Sequence, residues 1–188
     1  MKIAAISGSL RTASSNTALA RAALASAPSG VETVLFGGVG TLPHFSPDLD
    51  GDALPDSVQE FRALMASADG VLICTPEYAY GIPGSLKNAL DWLVTSGELW
   101  RKPAAVVSAS PSALGGEKAF ASLCLTLSAL EAEIIEAACL KIPFVSTKLN
   151  AEKEVSDPAT LAALQASVAA LVLAAEREIQ DGPNCTRA

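Results

Sequence analysis

The chain has 188 residues, a formal net charge of -7 and a sequence pI of about 4.7. Half of its residues are hydrophobic and 18% are charged, a composition that suits one compact domain with a sizeable core. The acidic balance gives little attraction for nucleic acid or for an anionic membrane, so neither is expected as a partner. We predict a single domain over residues 1–181 and a disordered tail over residues 182–188.

The sequence also limits location and metal binding. Only a few apolar residues precede Ser7, too few for a secretion signal. The longest apolar stretch, near residues 168–175, is too short to span a bilayer and follows an amphipathic pattern. The four cysteines lie far apart and His44 is the only histidine, so neither a zinc site nor a disulfide framework is expected. We predict a cytoplasmic protein without a metal site.

A polar loop separates the first predicted strand, Ile3–Ile6, from a helical pattern that runs from about Ser15 to Ala27. It holds five hydroxyl groups, one amide, one guanidinium and no acid, carried by Ser7, Ser9, Arg11, Thr12, Ser14, Ser15 and Asn16. A helix start has unpaired N–H groups and partial positive charge, so the loop favours an anion such as phosphate. Helix N-capping is the alternative, and it explains one or two of these residues.

This loop differs from the commoner phosphate-binding loops. Of the three glycines in a dinucleotide fingerprint, only Gly8 is present. The Gly-Lys-Ser/Thr ending of ATPase loops and the Cys-x5-Arg loop of phosphatases are both absent. Hydroxyl groups without a positioned nucleophilic thiol indicate that the loop holds a phosphate and does not cleave it.

The next elements predict a parallel sheet. Val31–Phe36 is the second strand, and a long loop rich in Gly, Pro and Asp extends from there to Pro55. Ser57–Ala68 has helical spacing, and Val71–Cys74 is a wholly apolar third strand. Strands that are apolar on both faces and alternate with helices are typical of a parallel sheet covered on both sides.

A rigid turn, Thr75–Gly84, follows the third strand, at the sheet edge where ligands bind in open α/β folds. Its backbone N–H groups and its two tyrosines, Tyr78 and Tyr80, can contact a flat ligand. The alternative is a β-to-α turn whose tyrosines pack locally. In the helix that follows, Ser85–Val94, Trp92 lies off the apolar face, which favours either a subunit interface or a cover by the loop around Trp100.

The remaining elements complete the sheet. Ala104–Val107 is the fourth strand, and a third hydroxyl-rich loop, residues 108–118, leads into a helix over Glu117–Leu130. A fifth strand lies within Ile134–Ile142, with bounds that the pattern does not fix. The last helix starts with Asp157 as N-cap and Pro158 in the first turn, and ends at Gly182-Pro183. Its predicted core residues are Leu161, Leu164, Val168, Leu171 and Val172.

These elements predict a three-layer α/β fold: a five-stranded parallel sheet of order 2-1-3-4-5 with helices on both faces. The loops after strands one, three and four would then meet at the carboxyl edge of the sheet. That arrangement is the switch point of flavodoxin-like folds, where FMN binds.

Three motifs lie in these loops. The first is Gly8-Ser-Leu-Arg-x-x-Ser14-x-Asn16, the second is Pro76-Glu-Tyr78 with Ile82-Pro-Gly-x-Leu-Lys-Asn-Ala-Leu-Asp-Trp92, and the third is Gly115-Gly116. Together they resemble the NAD(P)H-dependent FMN reductases, a family that includes chromate, quinone and azo-dye reductases. Two positions depart from the family pattern: Ala79 stands where the family usually has Asn, and Ser15 where it often has an aromatic residue.

The resemblance implies FMN as cofactor, NADPH or NADH as electron donor, and a small-molecule electron acceptor. The implied cofactor contacts are Ser9, Arg11, Ser14, Asn16 and Thr17 at the phosphate, Pro76, Glu77, Tyr78 and Ala79 beside the ring, and Ser110, Gly115 and Gly116 at its far edge. The flavin carries the chemistry in a ping-pong cycle, so no catalytic side chain is expected. A homodimer or homotetramer is implied as well.

Two other functions stay open at this point. One is a flavodoxin-type electron carrier, although carriers of that kind use a Thr/Ser-Gly-x-Thr-Gly-x-Thr phosphate loop in which Arg11 has no place. The other is a non-catalytic flavin-binding domain.

Overall fold

The computed structural model describes residues 1–181, which contain six strands and five α-helices that alternate along the chain except at β5 and β6. The strands are β1 (Lys2–Ser7), β2 (Glu32–Phe36), β3 (Gly70–Thr75), β4 (Pro103–Ala109), β5 (Glu133–Ile134) and β6 (Leu140–Ile142). The helices are α1 (Ser15–Ala25), α2 (Asp56–Ser67), α3 (Gly84–Asp91), α4 (Glu117–Ala129) and α5 (Pro158–Asp181). Each element predicted from the sequence lies within a few residues of its predicted bounds.

The strands form one parallel sheet of order β2-β1-β3-β4-β5, in which β6 also pairs with β4. The predicted fold class and strand order are therefore confirmed. The fifth strand is interrupted: β5 pairs with the start of β4 and β6 with its end, and a 3-10 turn over Glu136–Ala138 separates them. Glu and Ala have low strand propensity, which accounts for this break between β5 and β6. The apolar residues on both sides of the break make the sequence resemble one continuous strand.

Helices cover both faces of the sheet. One core cluster joins α2, α3 and α4 to one face through residues such as Phe61, Leu90 and Leu123. The other joins α1 and α5 to the opposite face through residues such as Leu19 and Val168. Strands β1, β3 and β4 are buried between the two layers almost throughout, so their carboxyl ends are held rigidly at one edge.

Trp92 follows the end of α3 and is completely buried. Its Nε1 donates to the carbonyl of Pro43 at 2.9 Å, and the ring meets Phe45 edge to face with centroids 5.1 Å apart. The cover therefore comes from the loop after β2. Because no part of the ring faces water, the exposure that favoured a subunit interface does not exist.

Helix α5 starts as predicted. Asp157 Oδ2 accepts hydrogen bonds from Thr160 N at 2.9 Å and from Thr160 Oγ1 at 2.6 Å. These bonds, with the nearby Lys148 ammonium, lower the pKa of the Asp157 carboxyl. The predicted end at Gly182-Pro183, Cys185 and the predicted tail lie outside the described residues.

The buried face of α5 contains Leu164, Val168, Leu171 and Val172, whereas Leu161 is 40% exposed, so its predicted core position is wrong. Leu161 lies in the first turn of the helix, next to Thr160, which takes the buried position there. By length and composition alone, Pro158–Gln180 could cross a membrane. The packing of its apolar face on the sheet is that of a core helix, which passes the same test.

Candidate flavin site at the carboxyl edge of the sheet

The loop after β1 is anchored at its two ends. Gly8 N donates to the carbonyl of Cys74 in β3 at 2.8 Å, and Ser14 caps α1 by accepting from Thr17 N at 3.2 Å. A Cβ on Gly8 would lie 2.8 Å from Leu86 Cδ2, so only glycine lets the loop pack this closely on α3. The loop therefore leaves the sheet along one fixed path.

Between those anchors the loop presents hydrogen-bond donors. The first amides of α1 have no intrahelical acceptor, and Ser14 Oγ satisfies only that of Thr17, so the N–H groups of Ser15 and Asn16 remain available. The first turn of α1 contains no acid. Arg11 is exposed and, within the described part of the chain, forms no ion pair. These groups together suit a phosphate.

Asn16 supplies the strongest indication of a ligand site. Its side chain is 4% exposed, and its Oδ1 has no hydrogen-bond partner among the described residues. Buried polar atoms in folded proteins are nearly always paired. The oxygen and nitrogen of an amide are almost isosteric, so a half-turn of the group would place Nδ2 there as a donor. An anion with several acceptor oxygens would satisfy it.

Glu77 joins the turn after β3 to helix α4. Its Oε2 accepts from the backbone N–H of Lys118 at 2.8 Å and of Ala119 at 3.1 Å. Gly116 occupies the N-cap position with φ 80° and has no side chain to cap the helix, so Glu77 takes this role from a distant segment. Glu77, which the sequence predicts to lie beside the ring, therefore also links the turn after β3 to the start of α4.

The tyrosine-containing turn is strained. Tyr78 and Gly81 exchange two backbone hydrogen bonds, each 3.0 Å long, and the residues between them, Ala79 and Tyr80, have φ 49° and 61°. Two consecutive positive φ angles are those of a type I′ turn, which favours Asn and Gly. Tyr80 is 81% exposed, so the turn holds this ring in solvent beside the sheet edge.

The loop after β4 is fixed by the segment that follows β6. Ser110 N donates to Ile142 O at 3.2 Å, and Val145 N donates to Ser110 O at 3.1 Å. Gly115, with φ 60°, has no room for a Cβ, which would lie 3.0 Å from the backbone of Ile142 and Pro143. These bonds bring residues after β6 to the same edge as the three motif loops.

A cavity of about 300 Å³ lies where these loops meet. Eight of the twelve predicted contact residues line it: Ser9, Arg11, Ser14, Asn16, Pro76, Glu77, Tyr78 and Ser110. The other four do not. Thr17 binds Ser7 through its hydroxyl at 2.8 Å, Ala79 lies in the exposed turn, and Gly115 and Gly116 are buried behind the loop.

The cavity is also lined by eight residues that were not among the predicted contacts: Ala13, Ser15, Ala109, Pro111, Val145, Ser146, Leu149 and Lys153. The first four adjoin predicted residues, so their position could have been expected. The last four follow β6, the part of the sheet whose bounds the sequence left open, and no local pattern marks them as site residues.

A second, larger cavity of about 470 Å³ lies on the outer side of α1. It shares Ala13, Ser14 and Lys153 with the first one and is otherwise lined by α1 and by Glu152, Glu154 and Val155. Its walls carry both cations and carboxylates. The smaller cavity is the better candidate site because the donors of the first loop line it together with Asn16, whose Oδ1 is unpaired among the described residues.

Comparison with known proteins identifies the family. Residues 1–147 match the NADPH-dependent FMN reductase family. An NAD(P)H-dependent FMN reductase of Pseudomonas aeruginosa is 31% identical over 175 residues, which cover 92% of this chain and 94% of that protein. A 2-hydroxy-1,4-benzoquinone reductase of a Burkholderia species is 43% identical over 118 residues, 61% of this chain and 63% of that protein. The latter match therefore spans less than two thirds of the relative's length.

Among solved structures, the flavoenzyme NAD(P)H:(acceptor) oxidoreductase FerB from Paracoccus denitrificans has a TM-score of 0.83 and 32% identity. The alignment covers 94% of this chain and 97% of that one. The fold and site define a flavodoxin-like flavoprotein. The chain belongs to the NADPH-dependent FMN reductase family, which confirms the predicted family and, at the level of the family, the predicted FMN and NAD(P)H.

Proposed function

We propose that this chain is an FMN-dependent oxidoreductase that uses NAD(P)H to reduce quinones, flavins or related acceptors such as chromate and azo compounds by a ping-pong mechanism. The observation that carries the proposal is the cavity at the sheet edge, lined by neutral donors, one guanidinium and the buried Asn16, whose Oδ1 has no partner among the described residues. A phosphate fits this donor set, and residues of the two later turns, Pro76–Tyr78 and Ser110, supply the rest of the lining for a ring.

In this proposal the first loop holds the FMN phosphate through Ser9, Arg11, Ser14 and Asn16, with the free amides of α1 beside them. Thr17 supports the loop through its bond to Ser7. Pro76, Glu77, Tyr78 and Ser110 border the ring, and Ala79, Gly115 and Gly116 shape the turns behind them. Bound FMN would supply the electron transfer between NAD(P)H and the acceptor.

The chain's own contribution is binding and orientation. The Glu77 carboxylate already accepts two backbone hydrogen bonds at the start of α4, so it is held as a structural acceptor and not as a proton donor. Tyr78 is 49% exposed and Tyr80 81%. A ring face flanked by exposed tyrosines would stay open, which supports a broad choice of flat acceptors.

Anaerobic titration of the FMN-loaded protein with NADPH and NADH tests the proposal. Loss of the flavin absorbance near 450 nm within seconds, and its return on addition of a benzoquinone, would support it. Bleaching that takes many minutes would favour an electron carrier, and a protein that takes up no FMN would rule the enzyme out. Parallel lines in double-reciprocal plots of the steady-state rate would support the ping-pong order.

Homo-oligomer formation and a cytoplasmic location stay predictions. Size-exclusion chromatography with light scattering measures the first directly.

A further inference from the structure

Lys153 lines the cavity at the sheet edge although it lies outside the residues that match the family, 1–147. It belongs to a short hairpin in which Leu149 pairs with Val155. None of the sequence motifs includes this hairpin. Its position beside Ser9, Arg11 and Ser14 is decided by the fold alone.

The hairpin is a well-defined element. Asn150 N donates to Glu154 O at 2.9 Å, and Asn150 Oδ1 accepts from Glu154 N at 2.8 Å. Ser156 N donates to Lys148 O at 2.9 Å, and Val155 packs against the core cluster of α1 and α5. The tip of the hairpin is therefore fixed relative to the start of α1.

Lys153 has φ 64°, a left-handed backbone conformation that lysine rarely adopts. Its N–H donates to Asn150 O at 3.1 Å, which holds it in this conformation. Such strain persists where the surrounding structure imposes it, and it is common at binding sites. Any residue here must accept a positive φ, so a glycine would fit more easily than the lysine that is present.

The charges around the cavity are unbalanced. Within residues 1–181, neither Lys153 nor Arg11 forms an ion pair. The neighbouring carboxylates, Glu152 and Glu154, line only the larger cavity. Glu77 is the one acid that lines the smaller cavity in the described residues, and its Oε2 already accepts two backbone hydrogen bonds.

We infer that Lys153 is a second cation of the cofactor site and recognises the phosphate group of FMN together with Arg11. The inference rests on the proposed function. A phosphate monoester carries between one and two negative charges near pH 7, so one guanidinium leaves part of this charge uncompensated. Asn16, which lines the same cavity, gives independent support: its buried Oδ1 has no partner among the described residues, and a half-turn of the amide would present Nδ2 as a donor to an acceptor-rich ligand.

The test compares the affinities of Lys153→Gln and the parent for FMN and for riboflavin, which lacks the phosphate, by flavin fluorescence quenching. The variant should bind FMN about three- to tenfold more weakly at low ionic strength and riboflavin equally well. The difference for FMN should shrink as salt rises. Lys153→Arg should keep most of the FMN affinity because it keeps the charge.

Arg21→Gln is the matched control. Arg21 lines only the larger cavity, so loss of its charge should leave both affinities unchanged. Lys153→Gly removes the charge and relieves the backbone strain. It should weaken FMN binding as Lys153→Gln does, while the thermal midpoint without flavin stays at or above that of the parent.

The outcomes separate this inference from the proposed function. If the parent binds FMN more tightly than riboflavin and Lys153→Gln binds FMN equally well, the role of Lys153 is refuted and the flavin site stands. An equal loss of FMN and riboflavin affinity would also refute it, because the phosphate would then not be the group recognised. If the parent binds no FMN, the proposed function and this inference fail together.

Discussion

Two loops at the carboxyl edge of the sheet use their polar groups in opposite ways. The loop after β2, residues 37–55, directs them inward: Asn88 accepts from Phe45 N at 2.8 Å and donates to Pro43 O at 2.9 Å, and Arg62 pairs with Asp50 at 2.8 Å. At the loop after β1, residues 8–14, and the start of α1, the Arg11 guanidinium has no ion pair and Asn16 Oδ1 no hydrogen-bond partner among the described residues. Both loops are polar, and we propose that only the second takes a ligand.

This difference gives a criterion that separates a candidate ligand-binding loop from a structural loop. In the loop after β2, buried rings and paired charges fix the chain, and Trp92, Phe45 and Arg62 form a single cluster with the Arg62 guanidinium 5.9 Å from the Trp92 ring centroid. Removal of a member should cost folding free energy. In the loop after β1, removal of a donor should cost ligand affinity and leave stability nearly unchanged.

The largest effect is expected for Trp92→Ala. It removes a fully buried ring and the hydrogen bond to Pro43, so the free energy of unfolding should fall by about 3–5 kcal/mol. Urea denaturation followed by circular dichroism measures it. Trp100→Ala is the matched control, since Trp100 is 45% exposed and its loss should cost under about 1.5 kcal/mol. Equal losses in the two variants would contradict the assigned role of the Pro43–Phe45 segment.

Arg11→Ala should show the opposite pattern. FMN affinity should fall by about 10- to 100-fold because the phosphate loses its charged partner, while riboflavin affinity should hold. The free energy of unfolding without flavin should change by less than about 0.5 kcal/mol, since Arg11 is exposed. Fluorescence titrations and urea denaturation give both numbers. Unchanged FMN affinity would remove Arg11 from the site.

Substitutions in the turn after β3 should affect both stability and ligand affinity, because its backbone is strained and its side chains are exposed. Ala79 has a φ of 49°, which strains the backbone of an alanine. Replacement by Asn or by Gly should relieve this strain and raise the free energy of unfolding by roughly 0.5–1 kcal/mol. If Ala79→Asn tightens FMN binding and Ala79→Gly does not, then the side chain of Asn, the residue that the family usually has here, contacts the flavin. A loss of stability in both variants would show that the turn is not strained at this residue.

The smallest change in stability is expected for Asp50→Asn. Hydrogen bonds from Arg62 and then from Thr95 lower the pKa of its carboxyl. A lowered pKa in the folded state stabilises the protein above the unfolded-state pKa, about 4, and this contribution is lost as pH falls through the folded-state value. The stability difference between the parent and Asp50→Asn should therefore be greatest near pH 6 and narrow toward pH 3, as urea midpoints would show.

Asp48→Asn provides the control for this pH dependence. Asp48 is exposed on the same 3-10 turn as Asp50 and has no ion pair among the described residues. Its midpoints should follow those of the parent at every pH. If Asp50→Asn tracks the parent in the same way, the Arg62 pair does not stabilise the loop after β2.

Some features of the fold could be predicted from the sequence, and others could not. The runs Ile3–Ile6 and Val71–Cys74 are apolar on both faces, which is sufficient to place them inside a covered parallel sheet. The interruption between β5 and β6 was not visible, because Ile134, Ile135 and Leu140 flank it with an apolar pattern that resembles one strand. Likewise, the helical spacing of Leu161 predicts a core position, and it gives no sign that this residue lies at the surface.

By itself the sequence determined the order of strands and helices and the donors of the first loop, since both depend on residues that are neighbours along the chain. Only the tertiary structure decided that Glu77 caps α4, that the Pro43–Phe45 segment covers Trp92, and that Lys153 reaches the cavity. Each of these contacts joins segments at least 40 residues apart, and local pattern carries no information about such distances. The position of long-range partners follows from how the layers pack, which is a property of the whole chain.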